Sequence, residues 1–79
     1  MDLIKDIMRD LDKYKKIIFQ NRYDFIFLHY SLGLYIRNKY IWENPKNFEF
    51  LKNYFSIDDA DGISLKLIKL YLTKNSSPL

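Results

Sequence analysis

His29 is the only histidine in the chain, and cysteine is absent. That leaves His29 as the one strong side chain for acid–base work near neutral pH. It stands between Leu28 and Tyr30 and in helical line with Leu32 and Ile36. This is the setting of a buried imidazole that donates one hydrogen bond and fixes helix packing. A lone histidine among scattered carboxylates is a poor metal site, so neither metal nor cofactor is expected. No Ser/His/Asp set has useful spacing, and no Gly-rich loop is present to cradle a phosphate. The chain reads as a non-enzyme.

The acids Asp58, Asp59 and Asp61, followed by Gly62, invite comparison with a calcium loop. Setting Gly62 at the loop's sixth position puts Asp59 and Asp61 at positions three and five. Positions one and twelve then fall on Ile57 and Ile68, where carboxylates are required. The match fails, and helix capping accounts for these acids better. Arg22 and His29 formally fit the R-x4–6-H motif of HEPN, the all-helical RNase superfamily. There the Arg and His of one helix meet their counterparts across a dimer and cleave RNA without metal. The resemblance covers two residues, and Tyr23 replaces the polar residue that usually follows the Arg.

Charge is mildly basic, +3 from 13 Lys and Arg against 10 Asp and Glu. All of the surplus lies in residues 1–40, and its densest cluster is Lys13, Lys15 and Lys16, joined loosely by Arg22. A dedicated nucleic-acid binder shows a clustered basic stripe. A solvated helix face explains this looser set more simply, with RNA contact as the alternative.

The elements that must carry these residues read as four helices. Leu3, Ile4, Ile7, Met8, Leu11, Tyr14, Ile17 and Ile18 form an apolar stripe at the helical period, which predicts a helix over 2–19. The acids of that segment, Asp10 among them, are expected on its outside. Asp24 is a candidate N-cap for a second helix reaching Asn38. That helix is apolar nearly all round, as expected of the central, buried element. Gly33 inside it costs about 1 kcal/mol relative to Ala, which points to a close helix crossing there. Asn44-Pro45 opens a third helix ending near Phe55. Ser56, with Asp59 three residues on, reads as a capping box for the last helix, running to about Thr73. A polar tail over 74–79 is expected to fray.

Two faces remain uncovered in this scheme. On the third helix, Phe50 and Tyr54 lie away from the core set Phe48, Leu51 and Phe55, with Trp42 just before. On the last helix, Leu65, Ile68 and Leu72 oppose Ile63, Leu67, Leu70 and Tyr71, so the helix is either sandwiched or an interface. Trp42, Phe50, Tyr54, Leu65 and Leu72 are therefore the candidate partner-binding residues, because exposed aromatic and apolar patches anchor protein interfaces.

The run from Leu28 to Asn38, with the later Ser56 to Ile63, resembles a small bacterial and phage domain family of no assigned function. Its core is His-x-x-x-Gly-x-x-Ile-Arg-Asn, matched here by His29, Gly33, Ile36, Arg37 and Asn38. Its second motif, Asp-Asp-x-x-Gly, is matched by Asp58, Asp59 and Gly62, while Tyr35 replaces a frequent Trp. The resemblance covers roughly residues 25–72. It implies a compact helical unit in which His29, Arg37, Asn38, Asp58 and Asp59 form one structural polar cluster, with Arg37 paired to Asp58 or Asp59.

The fold expected is all-α, a compact bundle of about four helices around the second, in one domain over 1–79. The absence of cysteine fits a reducing compartment. No apolar run approaches the roughly 18 residues of a membrane span, and Asp2 and Asp6 do not suit a signal peptide. A cytoplasmic location is expected. Small size, 18% aromatic content and surplus apolar faces point to a protein that binds and inhibits or neutralises a larger protein. Phage anti-defence proteins such as anti-CRISPRs, antitoxins and immunity proteins are chains of this kind. A second copy of the chain is another candidate for an uncovered face.

Overall fold

Strong local signals start each helix of the computed structural model, which describes residues 2–75. The Asp2 carboxylate accepts the amide hydrogen of Ile4 at 3.0 Å and opens α1, residues 3–20, whose middle tightens into a 3-10 turn at Asp12–Tyr14. Asp24 caps α2, residues 25–41, by accepting from the Phe27 amide at 3.0 Å. Asn44 accepts from Asn47, and Pro45 takes the first position of α3, Pro45–Phe55, as expected. The last helix, α4, spans Ala60–Asn75.

Two of these boundaries correct the sequence reading. Ser56 is not the cap of α4 but the left-handed terminator of α3, with φ 56° and ψ 43°. Asp59 is the cap instead, accepting from the Gly62 amide at 2.8 Å. With Ser56 as the cap, Ile57, Asp58 and Asp59 would have been wound into α4. At the other end the helix continues through Lys74 and Asn75, so these two residues of the expected tail 74–79 are helical instead. Residues 76–79 lie outside the described residues.

The four helices form the expected all-α bundle with no strand among the described residues. Its core is Ile4, Ile7, Leu11 and Ile18 of α1, Leu28, Leu32, Ile36 and Ile41 of α2, Leu51 of α3, and Ile63, Leu67, Ile68 and Tyr71 of α4. The second helix touches each of the other three, as does α4. Because α4 is sandwiched, Leu67 and Ile68 are both fully buried on different sides of it. The radius of gyration, 12.0 Å, matches the value of about 12 Å for a compact chain of this length.

α2 is not a regular α-helix. Its carbonyls at His29 and Arg37 accept from amides five residues on, Leu34 and Trp42, giving two wider π turns at His29–Gly33 and Arg37–Ile41. Core packing explains them. Leu28, Leu32, Ile36 and Ile41 are spaced four, four and five residues apart. At about 3.6 residues per turn, each four-residue step would drift roughly 40° around an α-helix. The wider turns absorb that drift and keep all four on the core.

One face of α2 escapes the core, contrary to the burial expected of it. Tyr23 just before the helix, then Ile26, Tyr30 and the half-exposed Phe25, Phe27 and Leu34, are open to solvent. The core takes Leu28, Leu32, Ile36 and Ile41 of the helix, and the first half of α2 has only α4 among its main contacts, so the remaining side there stays open.

Candidate functional site

Arg37 is the centre of the polar cluster. Its side chain is buried between α2 and α4, at 4% exposure. One guanidinium nitrogen, Nη1, donates to Ser64 Oγ at 2.9 Å and lies 3.4 Å from His29 Nδ1. The other, Nη2, donates to the His29 carbonyl at 3.2 Å. Nε lies 3.3 Å from an Asp61 carboxylate oxygen, yet it is buried without a hydrogen bond. The N–H is not aimed at the oxygen, so that contact is Coulombic. The indole of Trp42 covers the guanidinium, 5.7 Å from ring centroid to Cζ.

The cluster thus exists, with different members from those expected. Asp61 and Ser64 take the places assigned to Asp58 and Asp59. Asp59 is turned back on the α4 amides as a cap, and Asp58 is exposed. Asp61 and Ser64 lie three apart in the first turns of α4 and so share the face that meets Arg37. Ser64 is fully buried and donates its own hydroxyl hydrogen to the Asp61 carbonyl at 2.9 Å. Asn38 is exposed and stands outside the cluster. His29 is half-buried where a buried, hydrogen-bond-donating imidazole was expected, and its Nδ1 faces a guanidinium. Arg22 is elsewhere, donating to the Phe19 carbonyl at 2.7 Å in the turn between α1 and α2. The structure does not bring Arg22 and His29 together within the chain.

A second polar cluster ties α1 to α2, and the sequence reading missed it by placing Asp10 on the outside. Asp10 is buried, its side chain 4% exposed. It accepts from Tyr40 at 2.6 Å, Lys39 at 2.8 Å and Tyr35 at 2.9 Å. Burial alone would raise its pKa, but the hydrogen bonds from Lys39, Tyr40 and Tyr35 outweigh it and hold the carboxyl below its ordinary value. Burial and the bond to Asp10 push Tyr40 up to about 12. The bonds to Asp10 and Tyr35 raise Lys39. A signal was present: Asp10 lies three residues after Ile7 and four before Tyr14, inside the apolar stripe.

The candidate binding residues divide. Phe50 and Tyr54 are exposed and stack on each other, ring centroids 5.7 Å apart and planes at 27°. They wall a groove of about 390 Å³ against Leu3 and Ile4 of α1, with Asp2, Lys5 and Lys74 at its edges. Trp42 is 54% exposed, before α3, and its ring is engaged with Arg37. Leu65 and Leu72 do not form a free face, because the sandwiching of α4 leaves both half-buried. Lys13, Lys15, Lys16 and Arg22 are all exposed. Lys13 is 3.7 Å from Asp10, and Arg22 also stacks on Tyr23 at 4.9 Å.

Among the described residues no three His, Asp or Glu side chains converge as a metal site, and no helix is long and apolar enough to cross a membrane. No family model, curated protein or solved structure matches the chain.

Proposed function

We propose that the protein is a non-catalytic binding protein that docks on a larger protein and inhibits or neutralises it. One observation carries this reading. The stacked Phe50–Tyr54 pair is held open to solvent along a groove of mixed apolar and charged lining, where burial within the chain would otherwise be expected of such side chains. Lys5, Lys74 and Asp2 border the groove, so the complementary surface pairs an apolar centre with a charged edge. Trp42 supplies a further anchor near the start of α3. Aromatic side chains of this kind dominate interface energetics.

The roles that fit are those of phage anti-defence proteins, anti-CRISPRs among them, or of antitoxins and immunity proteins acting in the cytoplasm. His29 supports the non-catalytic reading, since its imidazole faces Arg37 and has no carboxylate to orient it as a base. RNA binding through Lys13, Lys15, Lys16 and Arg22 is less well supported. Two of the four already have partners in the chain, in Asp10 and the Phe19 carbonyl.

The test is calorimetric titration against the protein captured by the immobilised chain from its source cells. Phe50→Ala and Tyr54→Ala should each weaken binding by about 1–3 kcal/mol. Unaltered affinity in both would remove the groove from the account.

A further inference from the structure

Six large side chains on or beside the first half of α2 remain exposed: Tyr23 at 85%, Ile26 at 75%, Tyr30 at 70%, and Phe25, Phe27 and Leu34 near 40%. The π turn at His29–Gly33 helps keep Ile26, Tyr30 and Leu34 in one row, with Phe27 beside it, Tyr23 just before the helix under Arg22, and Phe25 on the flank under Lys69. At about 150–250 Å² for a whole aromatic side chain, these fractions expose roughly 600–700 Å² of largely apolar surface. The largest patch on a typical monomer is about 300–600 Å². This face is distinct from the Phe50–Tyr54 groove, which lies against the opposite end of the chain's first helix.

We infer that this face pairs with the same face of a second copy, forming a two-fold dimer through antiparallel α2 helices. Area is the first argument. Two such faces bury roughly 1,200–1,400 Å² in total, inside the range of about 1,200–2,000 Å² for specific, stable interfaces. Charge is the second. Over residues 23–34 the only charged side chain is Asp24, at one end of the row. A parallel pairing would set Asp24 against Asp24. The antiparallel one sets it near the Leu34–Asn38 end of its partner, whose one charged side chain is the buried cation Arg37 and beyond which lies no carboxylate until Glu43. A closed two-fold contact of this kind is self-complementary and satisfies both copies at once. The Tyr23 hydroxyl then sits at the wet rim, while Tyr30 packs near the two-fold axis.

The dimer is independent of the proposed partner groove, and its test separates the two. Sedimentation equilibrium of the full chain should give twice the monomer mass, falling to the monomer on dilution. Ile26→Glu together with Tyr30→Glu should weaken self-association about a hundredfold or more with an unchanged circular dichroism spectrum, because both side chains project into solvent. Phe50→Ala should leave the mass unchanged. The chain has no cysteine, so Tyr30→Cys supplies a single thiol near the two-fold axis. With dissolved oxygen and a copper catalyst as oxidant it should form a disulfide-linked dimer, while Tyr54→Cys should not. A wild-type chain that stays monomeric at high micromolar concentration overturns the inference. So does a dimer that survives the double glutamate variant, or equal cross-linking at both cysteine positions.

Discussion

Gly33 and Arg37 are fitted to one another: a Cβ on Gly33 would stand 2.9 Å from Arg37 Nη1, closer than such atoms approach. The same Cβ would lie 3.3 Å from the Leu28 carbonyl oxygen and 3.5 Å from Ser64 Oγ, where α4 crosses α2. The missing side chain therefore makes room for a guanidinium as well as for a helix. Gly33→Ala should cost about 1–2 kcal/mol despite the better helix propensity of Ala, and Gly33→Leu more than about 2 kcal/mol. Urea melts check this. A Gly33→Ala variant more stable than wild type would show that Arg37 can move aside freely.

Arg37 holds its place by volume more than by charge. Its ionic partner Asp61 is 63% exposed, and exposed charges contribute little. Ser64 would keep its bond to the Asp61 carbonyl without it. Arg37→Met should therefore change stability by less than about 1 kcal/mol, as when a buried charge is replaced by an apolar chain of similar size. Arg37→Ala, which leaves a cavity, should cost about 2–4 kcal/mol. Equal losses in both variants would make the charge itself the stabilising element.

Asp10 should be the most sensitive acid in the chain. Asp10→Ala removes the shared acceptor of Tyr35, Tyr40 and Lys39 and leaves the Tyr40 hydroxyl without its partner, at a cost of about 2–4 kcal/mol. The exposed-side pair Asp6–Arg9, 3.6 Å apart, should lose at most about 0.5 kcal/mol on Asp6→Ala. A comparable loss at both positions contradicts the buried-cluster assignment.

The same cluster, together with the Tyr71–Asp12 bond, predicts instability at both ends of the pH range. The folded pKa of Asp10 lies below its ordinary 3.8, so its contribution is full above that value and is lost as acid protonates the folded carboxylate. Tyr40 and Tyr71 are raised from 10.0 to about 12, Tyr71 by burial and its bond to Asp12. Their contribution is full below pH 10 and declines as pH rises toward 12, because only the unfolded chain ionises readily there. Denaturant midpoints against pH, with tyrosinate absorbance followed alongside, measure both limbs. A midpoint flat from pH 9 to 12 would refute the alkaline one.

Ser56 is the one residue other than glycine with positive φ among the described residues. Its amide and that of Ile57 both donate to the Lys52 carbonyl, closing the end of α3. Ser56→Gly should raise stability by about 0.5–1 kcal/mol by removing left-handed strain. A lower melting temperature in that variant would mean the serine side chain matters more than the backbone.

What the sequence made legible was local. Asp24 and Asn44-Pro45 announced their helices because capping is settled within a few residues. The stripe of α1 was readable for the same reason, as was the crossing at Gly33. The misreadings come from long-range packing. Asp10 looked external because charge on a helix is normally solvated, and only Tyr35, Lys39 and Tyr40 of α2 make its burial tolerable. Arg37 meets Asp61 rather than Asp58 or Asp59 because α4 starts at Ala60, which changes the acid that faces α2. The π turns follow from a four-four-five spacing of core residues that has meaning only once the core is known. The exposed face of α2 could not be told from a buried one by hydrophobicity, since both are apolar.

The most direct measurement is parallel capture of binding partners on three immobilised chains. These are the wild type, the Phe50→Ala/Tyr54→Ala pair and the Lys13→Ala/Lys15→Ala/Lys16→Ala triple, each confirmed folded and each washed at low and high salt. The binding-protein account predicts one protein retained by the wild type and the lysine variant at both salt concentrations. The aromatic variant should hold it at least about tenfold less well, the size of an interface hot spot. RNA retained by the wild type, released by salt and lost with the lysines while the aromatic variant keeps it, would contradict the account.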